Sequence, residues 1–222
     1  MTKCIAIDTS TIRLTLAVLN NGEFFELNQE NSMDHARDIY SNINKILNDA
    51  RVELQELELI GFGLGPGRFS GLRVAAAATQ AMSYIHKIPV CGISSLSVIA
   101  QQAAEIFSIE KIAVAIDANR NQIYFGCYRV SAEGLVVATY PDRLVDVDNF
   151  DFSERDYCGI GSGWSQYNHL RDKGCVELIH QGEKVLPDAK IMIKLAIRDF
   201  KSGKTVESFE ALPNYLMDQV TN

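Results

Sequence analysis

The sequence predicts an α/β protein made of two copies of one lobe, each running β-β-β-α-β-α, and three observations carry that prediction. Short β-prone apolar runs alternate with helical stretches along all 222 residues, a pattern that buries each sheet under helices. Ala115-Ile116-Asp117 repeats Ala6-Ile7-Asp8, and each is followed by a polar turn and an alternating strand, Arg13 to Leu19 in one case and Ile123 to Tyr128 in the other. Gly159-Ile160-Gly161-Ser162-Gly163 then echoes Gly61-Phe62-Gly63-Leu64-Gly65, each time between an apolar run and a helix-like stretch. Matches in the same order along a chain mark an internal duplication. The expected lobes are residues 1–108 and 109–222, with the tail available to pack back on the first.

The elements follow from local chemistry. Cys4 to Thr9 is an apolar run closed by Asp8-Thr9-Ser10, and the runs Leu14 to Leu19 and Glu23 to Leu27 flank Asn20-Asn21-Gly22. Asn-Gly between β-prone runs is a tight-hairpin signal, so this region reads as three strands. Ser32 or Asp34 is placed to cap a helix reaching Ala50, whose stripe Ile39, Ile43, Ile46, Leu47 and Ala50 keeps the helical period. Leu57 to Gly65 reads as a buried strand, Phe69 to Ile85 as a helix, Pro89 to Ile93 as a strand, and Ser94-Ser95 as the cap of a helix to Phe107. In the second lobe, Ile109 to Asp117 and Ile123 to Tyr128 are strands and Ala132-Glu133-Gly134 is a turn. Val176 to Ile179 is a short strand, and Asp188 caps a last helix to Lys201.

Bulk properties exclude several classes. A net charge of −7 makes the surface a poor phosphate-neutralising platform, because Lys and Arg contacts supply most nucleic-acid affinity. RNA chemistry carried out with a partner stays open. The five cysteines, at 4, 91, 127, 158 and 175, form no Cys-x-x-Cys pair and fall in or beside apolar runs, which reads as buried reduced thiols. The start Met-Thr-Lys-Cys-Ile-Ala-Ile lacks the length and flanks of a signal peptide. No run reaches the ~20 apolar residues of a membrane helix, so the cytoplasm is the expected location.

The candidate site is the turn formed by Gly65, Pro66, Gly67 and Gly71, which opens the helix from Phe69. A Gly-rich turn before a helix leaves N–H groups free at the positive end of the dipole and can hold an anion. It can equally be a tight corner. No Lys followed by Ser or Thr is present, so it is not a P-loop. Asp8-Thr9-Ser10 keeps the acid and hydroxyls of a phosphate-binding hairpin but has no glycine before Arg13; read otherwise, Asp8 caps the end of its strand. Asp8 and Gly161 are the residues a nucleotide would meet. The favoured reading is a corner, with Ser70 or a neighbouring N–H capping the helix.

Two lobes that each open with strand, Asp, hairpin and strand resemble the actin-like ATPases and sugar kinases, a ribonuclease H-like architecture. Gly65-Pro66-Gly67-Arg68-Phe69-Ser70-Gly71-Leu72-Arg73-Val74 closely resembles the Gly-Pro-Gly-Ser-Phe-Thr-Gly-Leu-Arg signature of the bacterial TsaB (YeaZ) family. Ile7-Asp8-Thr9-Ser10, Asp117 to Tyr124 and Pro213-Asn214-Tyr215-Leu216 resemble the same family, so the resemblance spans the chain. It departs at Arg68, where Ser is usual, and at Asn119-Arg120, where a single Arg is usual.

The resemblance implies an accessory subunit for the homologous enzyme TsaD. That enzyme moves threonylcarbamoyl from threonylcarbamoyl-AMP to the amine of the adenosine beside the anticodon of tRNA. It further implies a TsaD heterodimer through the N-terminal helices, the ATPase TsaE in the complex and a homodimer when alone. Contact with tRNA would come through the complex, and no catalytic residue or cofactor is expected, although nucleotide at the partner interface stays open. The catalytic relative holds a metal with a His-x-x-x-His pair, two rings on one helix face. Here His35 takes the first position and Ile39 the second, so no metal site is expected.

The helix from Phe69 is apolar on nearly every side, so it is covered on more than one face. Either it is sandwiched inside its lobe or it forms a subunit interface with the helix before it. The resemblance implies the second reading, with Ile39, Ile43, Leu47, Leu72, Ala75, Ala76, Thr79 and Met82 at the interface. Lys190, Lys194, Arg198 and Lys201 make a basic stripe on the last helix, read as a solvated face or as a surface for tRNA or a partner. Two rival functions remain. A free-standing ATPase or kinase would need Asp8 for nucleotide binding. A glycoprotease-like peptidase would need an ordered base, and His35, His86, His169 and His180 lie in no nucleophile motif.

Overall fold

The computed structural model describes residues 2–30, 35–167, 170, 177–179, 182 and 185–216. The expected caps Ser32 and Asp34 fall outside the described residues, as do His169, Cys175, Val176 and His180. The helices are α1 (His35–Asp49), α2 (Phe69–His86), α3 (Ser95–Phe107), α4 (Ser162–Gln166) and α5 (Ala189–Lys201). The chain divides into two units, Met1–Val98 with Pro187–Asn214, and Ile99–Leu186 with Tyr215–Asn222.

In the first unit, β1 (Cys4–Asp8), β2 (Leu14–Asn20), β3 (Glu23–Gln29), β4 (Leu59–Gly65) and β5 (Val90–Ser94) form one sheet in the order β3-β2-β1-β4-β5. The first three strands are antiparallel, and β4 and β5 continue from β1 in parallel. Asn21 and Gly22 take φ of 51° and 86°, the two positive values that a type I′ hairpin requires. One face of the sheet carries Ile5, Ile7, Leu16 and Phe62, which pack against Ile39 and Ile43 of α1 and Ala75 and Met82 of α2. Strand alternation turns Ala6 and Gly61 to the other face, where α5 settles; a Cβ on Gly61 would lie 3.1 Å from the Ala196 Cβ.

The last helix therefore packs on the first sheet, and a single boundary at 108 does not describe the chain. The reason is non-local. The small side chains of β1 and β4 leave a shallow bed, and the buried side of α5, Ile191, Met192, Leu195 and Ala196, fills it. Asp188 begins that helix by accepting hydrogen bonds from the N–H groups of Lys190 and Ile191 at 2.9 and 3.4 Å. It also stands 3.9 Å from the Arg13 guanidinium. Asp188→Ala is expected to lower the unfolding free energy by about 1 kcal/mol, read by urea denaturation; an unchanged midpoint would show that the cap contributes nothing.

Two members of the basic stripe on α5 are engaged with acids of this chain. Lys190 pairs with Glu26 at 2.8 Å and Arg198 with Asp199 at 2.9 Å, which favours the solvated-face reading. Cys4, Cys91 and Cys127 are free and buried, and burial pushes the thiols of Cys91 and Cys127 up to about 12. Among the described residues, no helix is long and apolar enough to cross a membrane.

The second unit repeats the sheet but not the whole expected run, because residues 147–157, where a helix is expected between the third and fourth strands, are turn and coil. β6 (Lys111–Asp117), β7 (Gln122–Val130), β8 (Val136–Asp146), β9 (Cys158–Ile160) and β10 (Glu177–Leu178) lie in the order β8-β7-β6-β9-β10, with the first three antiparallel and β9 and β10 parallel. That is the first sheet's topology again, as expected of duplicated actin-like lobes. Its core is aromatic. Phe125 meets Phe150, Phe152 and Trp164 edge-on, and the Trp164 indole N–H donates to the Ala113 carbonyl at 3.0 Å.

Candidate functional site

The end of β1 and the Gly-rich turn after β4 are clasped together. The Asp8 Oδ1 atom accepts from the Ser10 N–H at 2.9 Å and from the Ser10 hydroxyl at 2.7 Å. The Thr9 hydroxyl donates to the Gly71 carbonyl at 2.7 Å, and the Ser10 carbonyl accepts from the Arg68 N–H at 2.7 Å. Glycine is required at each approach. A Cβ would stand 2.1 Å from the Asp8 Oδ2 at Gly63, 2.6 Å from the Ser10 Cβ at Gly67, and 1.8 Å from the Thr9 carbonyl oxygen at Gly71. At Gly65 the backbone turns with φ of +107°, and a Cβ would meet Leu72 and the Asn214 carbonyl at 3.1 Å. The hydroxyls that a phosphate would need are engaged with protein.

Burial raises the Asp8 carboxyl above the usual carboxylate range, opposed by its two bonds from Ser10. Its Oδ2 is buried with no partner. Because folding raises this pKa, the folded chain holds the proton more tightly than the unfolded chain. The resulting stability is present below the ordinary carboxylate range and is lost as pH rises through the raised value. Asp8→Asn is expected to flatten that part of the pH–stability curve, measured by urea denaturation from acid to neutral pH; an unchanged slope would mean that Asp8 does not carry it.

The His35 Nε2 lies 3.0 Å from the Thr11 carbonyl. A carbonyl only accepts, so this nitrogen carries the proton and donates. Ile39, one turn on, is buried in the apolar core and cannot ligate a metal. Asp8 belongs to the first unit and Gly161 to the second. Gly161 takes φ of +106°, and a Cβ there would stand 2.4 Å from the Ala115 carbonyl, so packing against β6 suffices to explain it. Between β6 and β7, Asn119, Arg120 and Asn121 all take left-handed φ, 62°, 52° and 61°, which lifts Arg120 into an exposed position.

Two expectations need correction. Ser70 does not cap α2; it lies inside the helix, and Arg68 occupies the cap position without a side-chain capping bond. All eight expected interface residues, Ile39, Ile43, Leu47, Leu72, Ala75, Ala76, Thr79 and Met82, are buried within this chain. They form the inner side of α1 and α2, facing each other and the sheet, and have no surface to offer a partner. The outer side of α2 shows Phe69, Tyr84 and Ile85 at 56%, 67% and 68% exposure. Ala77 and Ala81 are exposed between them, and Tyr40 of α1 is also exposed. The signal was present in the all-round apolar character of α2, but alternation alone could not say which side faces inward.

Residues 28–158 match the family model described as TsaD: tRNA N6-adenosine threonylcarbamoyltransferase. The chain is also 30% identical to the tRNA threonylcarbamoyladenosine biosynthesis protein TsaB of Buchnera aphidicola subsp. Schizaphis graminum, over 92% of this chain and 98% of that one. The chain belongs to the TsaB family. Its identity to the TsaB of Haemophilus influenzae is 29%, over 98% of this chain and 94% of that one. The solved YeaZ from Pseudomonas aeruginosa superposes with a TM-score of 0.87 at 29% identity, covering 97% of this chain and all of that one. In this member of the TsaB family the signature Gly65 to Val74 is the segment that closes on Thr9 and Ser10.

Proposed function

We propose that this chain is a non-catalytic, cytoplasmic subunit that supports a TsaD-type transferase in forming threonylcarbamoyladenosine in tRNA. The clasp carries the reading. Asp8, Thr9 and Ser10 are turned inward on Ser10 itself, Gly71 and Arg68, so the hairpin that would hold a nucleotide's phosphates serves as structure. The names of the relatives supply the pathway, and the outer side of α2 supplies the surface. Apolar side chains exposed together on one helix mark a protein-binding face. It would meet TsaD in the working complex, which TsaE completes, and a second copy of this chain when alone; tRNA would be reached through the complex.

The isolated chain is therefore expected neither to hydrolyse ATP nor to modify tRNA supplied with threonylcarbamoyl-AMP. ATP turnover that disappears in Asp8→Ala would instead make it a free-standing ATPase. Modified adenosine formed by the chain alone would make it the transferase.

A further inference from the structure

The second unit carries a cavity of about 430 Å³ between β7, its edge strand β8 and the coil that follows β8. The register of β8 on β7 shifts twice, between Phe125 and Cys127 and again between Cys127 and Tyr128. Bulges of this kind bend a strand and disrupt its ladder. Pro141, which has no N–H to give, sits in the bend between Tyr140 and Arg143. Phe125 and Phe152 make an apolar floor, buried and edge-on with ring centres 5.2 Å apart. Charges of both signs line the same space without meeting. The Arg143 guanidinium lies over the Phe125 ring, 5.5 Å from its centre. The Glu154 carboxylate is held at Oε1 by the Tyr140 hydroxyl, which donates to it at 2.9 Å. Among the described residues, Arg143, Asp151 and Glu154 have no ion pair. Each of Arg143 and Glu154 is thus tethered by an aromatic residue, and the two do not close on one another.

We propose that this cavity binds a small zwitterion of the α-amino acid type with an aromatic side chain. A guanidinium and a carboxylate held apart around one space complement a molecule that carries both opposite charges. Arg143 takes the ligand's carboxylate, in the two-pronged geometry that a planar guanidinium offers. Glu154 takes its ammonium, and the exposed Asp151 adds negative charge at the rim. The ligand's ring rests against Phe125 and Phe152 and extends their edge-on packing. The volume suits a ligand of this size, since small-molecule pockets run from roughly 300 to 1,000 Å³ with mostly apolar walls and a few placed polar groups.

The test is calorimetric titration of the full chain at neutral pH with three probes. These are phenylalanine, phenethylamine, which lacks the carboxylate, and hydrocinnamate, which lacks the ammonium. Phenylalanine is expected to bind saturably, about tenfold or more tighter than either analogue. Arg143→Ala should weaken phenylalanine about tenfold or more and leave phenethylamine unchanged. Glu154→Gln should weaken phenylalanine and leave hydrocinnamate unchanged. Both side chains reach solvent, so both variants should keep the native circular dichroism spectrum. Phenylalanine should also move the amide NMR signals of Gly126 and Ser153, which line the cavity. Phenethylamine binding as tightly as phenylalanine would make this a site for a cation alone, and hydrocinnamate doing so a site for an anion alone. Either result would overturn the proposal, as would no saturable heat in the millimolar range, phenylalanine affinity unchanged in Arg143→Ala, or amide shifts only elsewhere.

Discussion

Gly71→Ala is expected to loosen the first unit, lowering its unfolding free energy by about 3 kcal/mol or more. The added methyl would stand 1.8 Å from the Thr9 carbonyl oxygen. That oxygen is backbone at the end of β1 and cannot swing aside. Relief requires the start of α2 to move away from β1, which breaks the bonds from the Thr9 hydroxyl to the Gly71 carbonyl and from the Arg68 N–H to the Ser10 carbonyl. Gly203→Ala is the control in the same unit. Its φ is +72° with nothing within 4 Å of a Cβ, so it should lose only the strain of a left-handed alanine, about 1 kcal/mol. Urea denaturation of both variants decides the matter; equal losses would mean that the clasp is not what requires glycine at 71.

Ala81→Arg is expected to abolish association with little effect on folding. Ala81 lies on the exposed side of α2 near Tyr84 and Ile85, so folding stability should stay within about 0.5 kcal/mol. At the centre of an interface the same arginine would be a desolvated, unpaired charge. Such a change costs several kcal/mol, a loss of about a hundredfold or more in affinity. Ala75→Arg, on the fully buried side of the helix, should unfold the unit instead. Analytical ultracentrifugation for the homodimer and co-purification for TsaD would show the difference. Retained association by Ala81→Arg would place the partner surface elsewhere.

Much of the fold was legible because its signals are local. Asn21-Gly22 forces a hairpin, the α1 stripe repeats with the helix, and Asp188 caps α5 where the sequence put it. What was not legible depends on distant partners. Nothing in Ala189 to Lys201 says that its apolar side belongs on the first sheet; Ala6 and Gly61 decide that. The turn at Gly65 to Gly71 looks the same whether it cradles a phosphate or closes on protein. The answer lies in Thr9, 62 residues before Gly71. The sidedness of α2 was hidden for a related reason. Alanines at 75, 76, 77, 78 and 81 look alike in sequence, and only packing against α1 and the sheet separates Ala75, at no exposure, from the exposed Ala81.

The most direct measurement is a reconstitution of tRNA modification from TsaD, TsaE, threonylcarbamoyl-AMP and unmodified tRNA, with and without this chain. Threonylcarbamoyladenosine is expected only when the chain is present, restored by the native protein and not by Ala81→Arg. Undiminished modification without the chain would contradict the account.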